Sequence, residues 1–328
     1  MGRTTAAAHA SLVDLMICRV PNLKGRERIA LQKRFDSESD FSMLSGKDFE
    51  HILGRSLGGK SWTMAEIRAS AERDADAAQK LGIYWVSWRE SNYPPLLREI
   101  YDPPAVLFYR GELPDPEKPL VAVVGTRKPS AQAAGRAFAL GKELGEAGLT
   151  VVSGLALGID AMAHRGNMEG RAPTAAVLGS GVDYVYPVSN RDLARRVLET
   201  GGVILSEYPP GTGPRKQNFP ARNRIISALA RGTVIVEAPE KSGALITAAF
   251  ALEQGRDLWV DRAGLASAGA GRLAEDGAVV IDSAKDILTE WNLEVPNRGN
   301  KAAQPAARNN AEGAALAASL AKYLDIRL

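Results

Sequence analysis

From Leu120 onward the chain repeats one pattern. Short apolar runs, "LVAVV", "LTVVS", "TAAVLG", "GVILSE", "GTVIVEA", "DLWV" and "AVVI", alternate with helix-like segments at 131–147, 158–169, 190–200, 221–231, 242–255 and 268–276. Strands apolar on every position must be buried on both faces, and strands spaced by single helices must run parallel. The pattern therefore predicts an α/β fold, a doubly wound and mostly parallel sheet. In such a sheet ligands bind outside the carboxyl ends of the strands, so the loops that follow each strand are the ones to read.

Upstream the texture changes. Residues 1–65 read as short helices broken by glycine, as in "VPNLKGRERIALQKRF" and "LSGKDFEHILGRSLGG", and predict a small helical module. Two helices joined by a glycine turn can offer backbone N–H groups to a phosphate, and simple helix packing accounts for them as well. A long polar-faced helix, "TMAEIRASAERDADAAQKLG", then opens a second unit at 66–295, which includes the strands "IYWVSW" and "AVLFYRGEL" and a linker "PDPEKP" at 114–119. The last stretch, 296–328, reads as a flexible linker and one short helix, too small for a core of its own.

Bulk properties exclude several classes. One cysteine, Cys18, permits no intramolecular disulfide and fits a reducing cytoplasm. No run of about eighteen apolar residues predicts a membrane helix. Three histidines make a histidine-based metal site a poor expectation, and no cofactor motif is present. The formal net charge is only +3, so a polyanion site would have to come from local clustering.

The strand-end loops supply such clusters. After "LVAVV" come Gly125, Thr126, Arg127 and Lys128, leading into a helix whose N-terminus suits a phosphate. Arg127 is equally suited to a neighbouring carboxylate. After "LTVVS", Gly154 and Gly158 leave room for close backbone approach, Asp160 can cap a helix, and His164 fits a hydrogen-bonded structural role. After "TAAVL", Gly179, Ser180 and Gly181 predict an exposed, backbone-rich loop, with Tyr184 and Tyr186 either packed or stacking a base. The next loop, "GTGPRKQNFPARNR" at 211–224, holds Arg215, Lys216, Arg222, Arg224 and Phe219 with no acid. Phe219 before proline is expected to be extended, with Pro220 opening a helix. Arg222 and Asn223 would then lie in its first turn, where the helix dipole disfavours a cation unless a phosphate or a carboxylate such as Glu207 or Glu237 compensates. Ser242 and Gly243 open a further helix on the same rim. The sequence contains no nucleophile triad, Cys/His pair or paired carboxylates at telling spacing, so no catalytic set is predicted. Cations that track phosphates beside a ring that stacks a base are what a single-stranded nucleic acid requires.

Five segments in this order, "VAVVGTRKPS", "VVSGLALGIDAMAHRG", "AVLGSGVDYVYPVSN", "ILSEYPPGTGPRKQNFPARNRIIS" and "VIVEAPEKSGALITAAFALEQGR", resemble the DNA-processing protein A (Smf) family over roughly residues 66–290. The helical N-terminal part resembles that family's helix-hairpin-helix or sterile-alpha-motif-like module. The resemblance implies an extended Rossmann-like fold and a cytoplasmic homodimer that is not an enzyme. It also implies binding to single-stranded DNA without sequence preference, protection of incoming DNA in natural transformation, and loading of the RecA recombinase. By the same resemblance, Gly125, Thr126 and Arg127 form the family's glycine-x-arginine loop, with threonine in the usual serine position. Lys216, Phe219, Arg222 and Asn223 fall on the family's DNA contacts. Two departures stand out. Gly271 replaces the asparagine of a rim step, which withholds a binding role from 261–272, and 296–328 is too short for the winged-helix domain that many relatives carry. A competing reading is a nucleotide-binding sensor, or an enzyme like the phosphoribohydrolases of similar fold. The latter use a glutamate near the position that Ala248 occupies here.

Overall fold

In a computed structural model the described residues are 11–59 and 61–293. The expected linker and short helix at 296–328, and residues 1–10 of the expected N-terminal module, lie outside them.

Four short helices, α1 (Leu12–Arg19), α2 (Gly25–Arg34), α3 (Glu38–Ser42) and α4 (Gly46–Leu53), lead to the long α5 (Met64–Leu81). Their starts are written in the sequence: Ser45 with Asp48 and Thr63 with Glu66 form reciprocal capping boxes. Then come β1 (Tyr84–Ser87), α6 (Pro95–Arg98) and β2 (Val106–Gly111). The alternating region follows as β3 (Leu120–Val124), α7 (Ala131–Glu146), β4 (Thr150–Ser153), α8 (Ile159–Glu169), β5 (Thr174–Val177), α9 (Arg191–Glu199), β6 (Val203–Ser206), α10 (Asn218–Leu229), β7 (Gly232–Ile235), α11 (Gly243–Glu253), β8 (Asp257–Asp261), α12 (Ala268–Glu275), β9 (Val279–Ile281) and α13 (Ala284–Glu290).

All nine strands form one sheet in the order β1-β2-β6-β5-β4-β3-β7-β8-β9. From β6 to β9 every pairing is parallel. The strands β1 and β2 are antiparallel, and β2 pairs with β6 through Phe108↔Ser206 and Tyr109↔Leu205. The segment at 114–119 is thus the connection from the antiparallel edge to the first central strand of the same sheet. Every residue of β3 to β7 is buried, as their unbroken apolar runs require. On one face α7 lies against α8 through small residues, with Ala133, Ala134, Ala137 and Gly141 buried. Buried Asn167 on α8 accepts from Val151 N at 3.0 Å and donates to Leu149 O at 2.9 Å, which fixes the helix to the start of β4.

The N-terminal helices share a core with the sheet. Met16, Ile17, Phe41 and Phe49 belong to the same buried cluster as Val106, Phe108, Ala176 and Ile204. A buried polar knot joins the two parts: Gln32 Nε2 donates at 3.0 Å to Asp14 Oδ1, Ser87 Oγ and Ala105 O, and Arg89 donates to Asp14 at 2.7 Å. The expected division at residue 65 falls inside this shared cluster.

Strand order reverses at β3. The chain runs outward through β4, β5 and β6, then returns to pair β7 on the other side of β3. The carboxyl ends of β3 and β7 therefore diverge into loops on opposite sides, and a crevice opens between them, as doubly wound sheets dictate.

Candidate nucleic-acid interface

The crevice is a groove of about 620 Å³. Gly125, Thr126 and Arg127 line it from the end of β3, and Pro239, Lys241, Ser242 and Gly243 from the end of β7. Its far wall is α10 with the segment before it, through Lys216, Phe219, Arg222 and Asn223.

The two sides are sewn together at the base. Thr126 N donates to Glu237 O at 2.8 Å, and the Ser130 N–H and hydroxyl reach the Glu237 carboxylate at 3.0 and 2.8 Å. Gly125 allows this closeness: a Cβ there would lie 2.5 Å from Ile159 Cγ1 and 2.9 Å from Glu237 O. Gly158, at φ 75°, precedes α8 in a conformation that favours glycine and leaves room for the Thr126 carbonyl, which accepts from Ile159 N. Between them Leu155 is buried at φ 55°. Asn190, also buried, holds this loop by donating to Leu155 O at 2.9 Å and Ala156 O at 3.2 Å.

Arg127, Lys128, Lys216 and Lys241 are exposed, and among the described residues none forms an ion pair. Lys128 does not line the groove. The Arg127 guanidinium stands 5.6 Å from the Phe219 ring centroid, and Tyr186 lies 5.6 Å from the same ring at 41°. Tyr186 is 45% exposed, so one aromatic pair, flanked by cations, faces the opening. Asn223 bridges the walls, with Nδ2 donating to Gly243 O at 3.1 Å. Ser242 Oγ caps α11 by accepting from Ala244 N at 3.2 Å, and Gly243 is exposed.

Several expectations need correction. Helix α10 begins at Asn218, not after Pro220, so Phe219 is helical rather than extended. Asn218 anchors this start by donating from Nδ2 to Gly179 O at 3.0 Å, and Pro220 falls in the first turn, where no backbone N–H is needed. Arg222 thus lies in the second turn and is 4% exposed. Its Nη1 donates to Gly154 O at 2.9 Å and to Val177 O, tying the ends of β4 and β5 to α10. Burial lowers its pKa to about 10 against the opposing pull of Asp160, and it remains cationic. The same burial raises the Asp160 carboxyl, while Arg222 and the N–H groups of Ala156 and Gly154 pull it down. The compensation foreseen for Arg222 is therefore internal. Of the suggested carboxylates, Glu207 is paired with Arg224 at 2.7 Å and Glu237 is taken by Ser130.

The loop of Gly179, Ser180 and Gly181 is buried, not exposed, and Gly179 and Ser180 do not line the groove. Ser180 Oγ donates to Tyr184 O at 2.7 Å, Ser206 Oγ donates to Ser180 O at 2.6 Å, and the Phe219 ring covers Gly179. Asp160 lies in the first turn of α8, but the residue that caps that helix is Gly158; its carboxylate accepts from Gly154 N at 3.0 Å. Sequence reasoning did not single out Lys241, Asn190 or Thr247. Lys241 was legible only as a lone cation; Asn190 and Thr247 carry no sequence signal that points to a groove.

Elsewhere, His164 is buried with Nδ1 2.7 Å from Thr174 Oγ1, and Thr174 donates onward to Val151 O. Nδ1 is then the donor and the imidazole is neutral; burial, with Arg165 and Arg222 nearby, lowers its pKa to about 3. Among the described residues no cluster of three His, Cys, Asp or Glu side chains could hold a metal ion. No helix among them is long and apolar enough to cross a membrane.

The protein is thus of the Rossmann-like α/β class, with exposed cations and an aromatic pair at its switch-point crevice. The chain belongs to the DNA recombination-mediator protein A family, which matches residues 85–292. It is 40% identical to DNA processing protein DprA of Bacillus subtilis over 233 residues, 70% of this chain and 77% of that one. The crystal structure of DNA processing protein A from Streptococcus pneumoniae superposes with a TM-score of 0.67 at 35% identity, covering 86% of this chain and 94% of that one. A structure of DNA processing protein A from Helicobacter pylori, described for its single-stranded DNA binding mode, gives 0.57 at 30% identity over 63% and 95%.

Proposed function

We propose that this chain binds single-stranded DNA in the switch-point groove without reading its sequence, protects incoming strands during natural transformation, and loads the RecA recombinase onto them. It acts as a cytoplasmic homodimer, without catalysis, and residues 66–295 form the DNA-binding unit. The observation that carries this reading is the exposed trio of Arg127, Lys216 and Lys241 around the Tyr186–Phe219 pair. Unpaired cations attract phosphates, and an accessible ring stacks any base. Direct contacts are assigned to Gly125, Thr126, Arg127, Lys216, Phe219, Asn223, Ser242 and Gly243. Lys128 contributes charge at the margin, while Gly179, Ser180 and Arg222 shape the groove from beneath. The family name and the single-stranded DNA studied with the Helicobacter pylori relative support the same reading.

The enzyme alternative is weaker. Ala248 is buried on α11, so the position that would need a catalytic glutamate carries none, and among the described residues the only carboxylate lining the groove is Asp160. Fluorescence anisotropy of labelled oligo-dT and of the matching duplex, across salt concentrations, tests the proposal. Salt-sensitive, single-strand-preferring binding is expected. Absence of binding at low salt would remove it in favour of a nucleotide sensor.

A further inference from the structure

A second cavity of about 520 Å³ lies where the N-terminal helices meet the sheet edge. Leu15, Leu23, Val106 and Phe108 line its apolar part. Glu207, Tyr208 and Pro209, which follow β6, and Arg224 on α10 bring it to the same rim as the groove. Helix α10 is the partition: Arg222, Asn223 and Ile226 face the groove, and Arg224 faces the cavity.

The cavity's carboxylates are all engaged. Asp74 is bound by Arg19, and Asp102 and Glu207 by Arg224 at 3.3 and 2.7 Å. Lys24, Arg26 and Arg28 remain without an ion pair among the described residues, and Arg28 Nε is a buried donor with no acceptor. A buried N–H left open in this way calls for an acceptor. Arg26 lies 4.1 Å over the ring of Tyr101, which is 75% exposed. A guanidinium on an exposed ring forms a flat platform of the kind a nucleobase stacks upon. Asp102 already crowds Gly25 at the start of α2, so a phosphate would be received by the side chains and not by that helix end.

We infer that this cavity is a second nucleotide site, taking a phosphate on Arg28 and Lys24 and a base against Tyr101 and Arg26. Its volume suits one nucleotide. The occupant is either a free nucleotide or a further residue of a strand held in the groove, the latter resting on the function proposed above.

The test compares wild type with Arg28→Glu and with Tyr101→Ala, the second removing only an exposed ring. Melting curves verify that each is folded. Each is titrated with dTMP and with thymidine oligonucleotides of about 6 residues, filling one site, and about 30, reaching both. Loss of dTMP binding identifies a free nucleotide. A roughly five- to hundredfold weakening for the long oligonucleotide alone identifies the strand. Unchanged binding of all three probes by the folded variants overturns the inference. Phe219→Ala with Lys216→Glu, run in parallel, reports on the groove separately: if it binds the short oligonucleotide like wild type, the groove reading fails whatever the cavity variants do.

Discussion

The Arg127 guanidinium lies 5.6 Å from the centre of the Phe219 ring, which joins the loop after β3 to the first turn of α10 across the groove. Tyr186 stands 5.6 Å from the same ring, so a cation and two rings line one opening. Replacing Phe219 by Ala is expected to weaken oligo-dT binding by about 1–3 kcal/mol per stacked base, and Phe219→Trp to preserve it. Anisotropy at fixed salt measures both. Equal loss in the two variants would show that ring stacking is not what Phe219 contributes.

Lys216 and Arg222 are expected to separate cleanly. Lys216→Ala touches an exposed, unpaired side chain, so stability should stay within about 0.5 kcal/mol. Its salt slope for single-stranded DNA should fall by about 0.7, one phosphate's worth. Arg222→Ala strips the carbonyls of Gly154 and Val177 of their donor and leaves Asp160 uncompensated in a buried site. That should cost about 3–5 kcal/mol. Urea unfolding beside a salt titration distinguishes them. An Arg222→Ala protein of unchanged stability would return Arg222 to the list of direct contacts.

Gly125→Ala is expected to destabilise by about 1–3 kcal/mol through overpacking, since the new methyl meets Ile159 and the Glu237 carbonyl. The same clash pushes apart the Thr126–Glu237 hydrogen bond, so affinity for oligo-dT should drop together with Tm. A drop in Tm with full affinity would show that this bond does not set the groove.

Stability should fall with acid through His164. Its folded pKa, about 3, lies below the ordinary value near 6.5, so between these limits the unfolded chain binds the extra proton. The stabilisation is complete above about pH 6.5 and is lost as pH falls toward 3, at roughly 1.4 kcal/mol per pH unit. Asp160, raised by burial, acts in the opposite sense above its unfolded value. The difference between wild type and His164→Gln therefore isolates the histidine. Parallel curves for the two proteins would refute the assignment.

The alternating apolar runs made the parallel part of the sheet readable, because strands buried on both faces have only one composition. Residue type also pointed to the rim, since glycines recur after β3, β6 and β7, cations cluster after β3 and β6, and a ring stands among the cations that follow β6. Direction was not readable. Nothing in "ARNR" tells that Arg222 turns inward to two carbonyls while Arg224 turns to Glu207; that depends on how α10 sits across the ends of β4 and β5. The loop of Gly179 and Ser180 looked exposed because small residues suit a surface turn, yet they also suit the space beneath a ring. The antiparallel pairing of β2 with β6 joins segments about a hundred residues apart and leaves no local trace.

The seam between Ser130 and Glu237 spans 107 positions of chain. A growing polypeptide that has completed β3 through β6 owns most of its sheet but only half a groove. The rest arrives with α10, β7 and the start of α11. On the function proposed above, DNA binding is a late-acquired property during synthesis: an unfinished chain on the ribosome, however well folded its first half, is expected to capture no strand before the second half closes against Thr126.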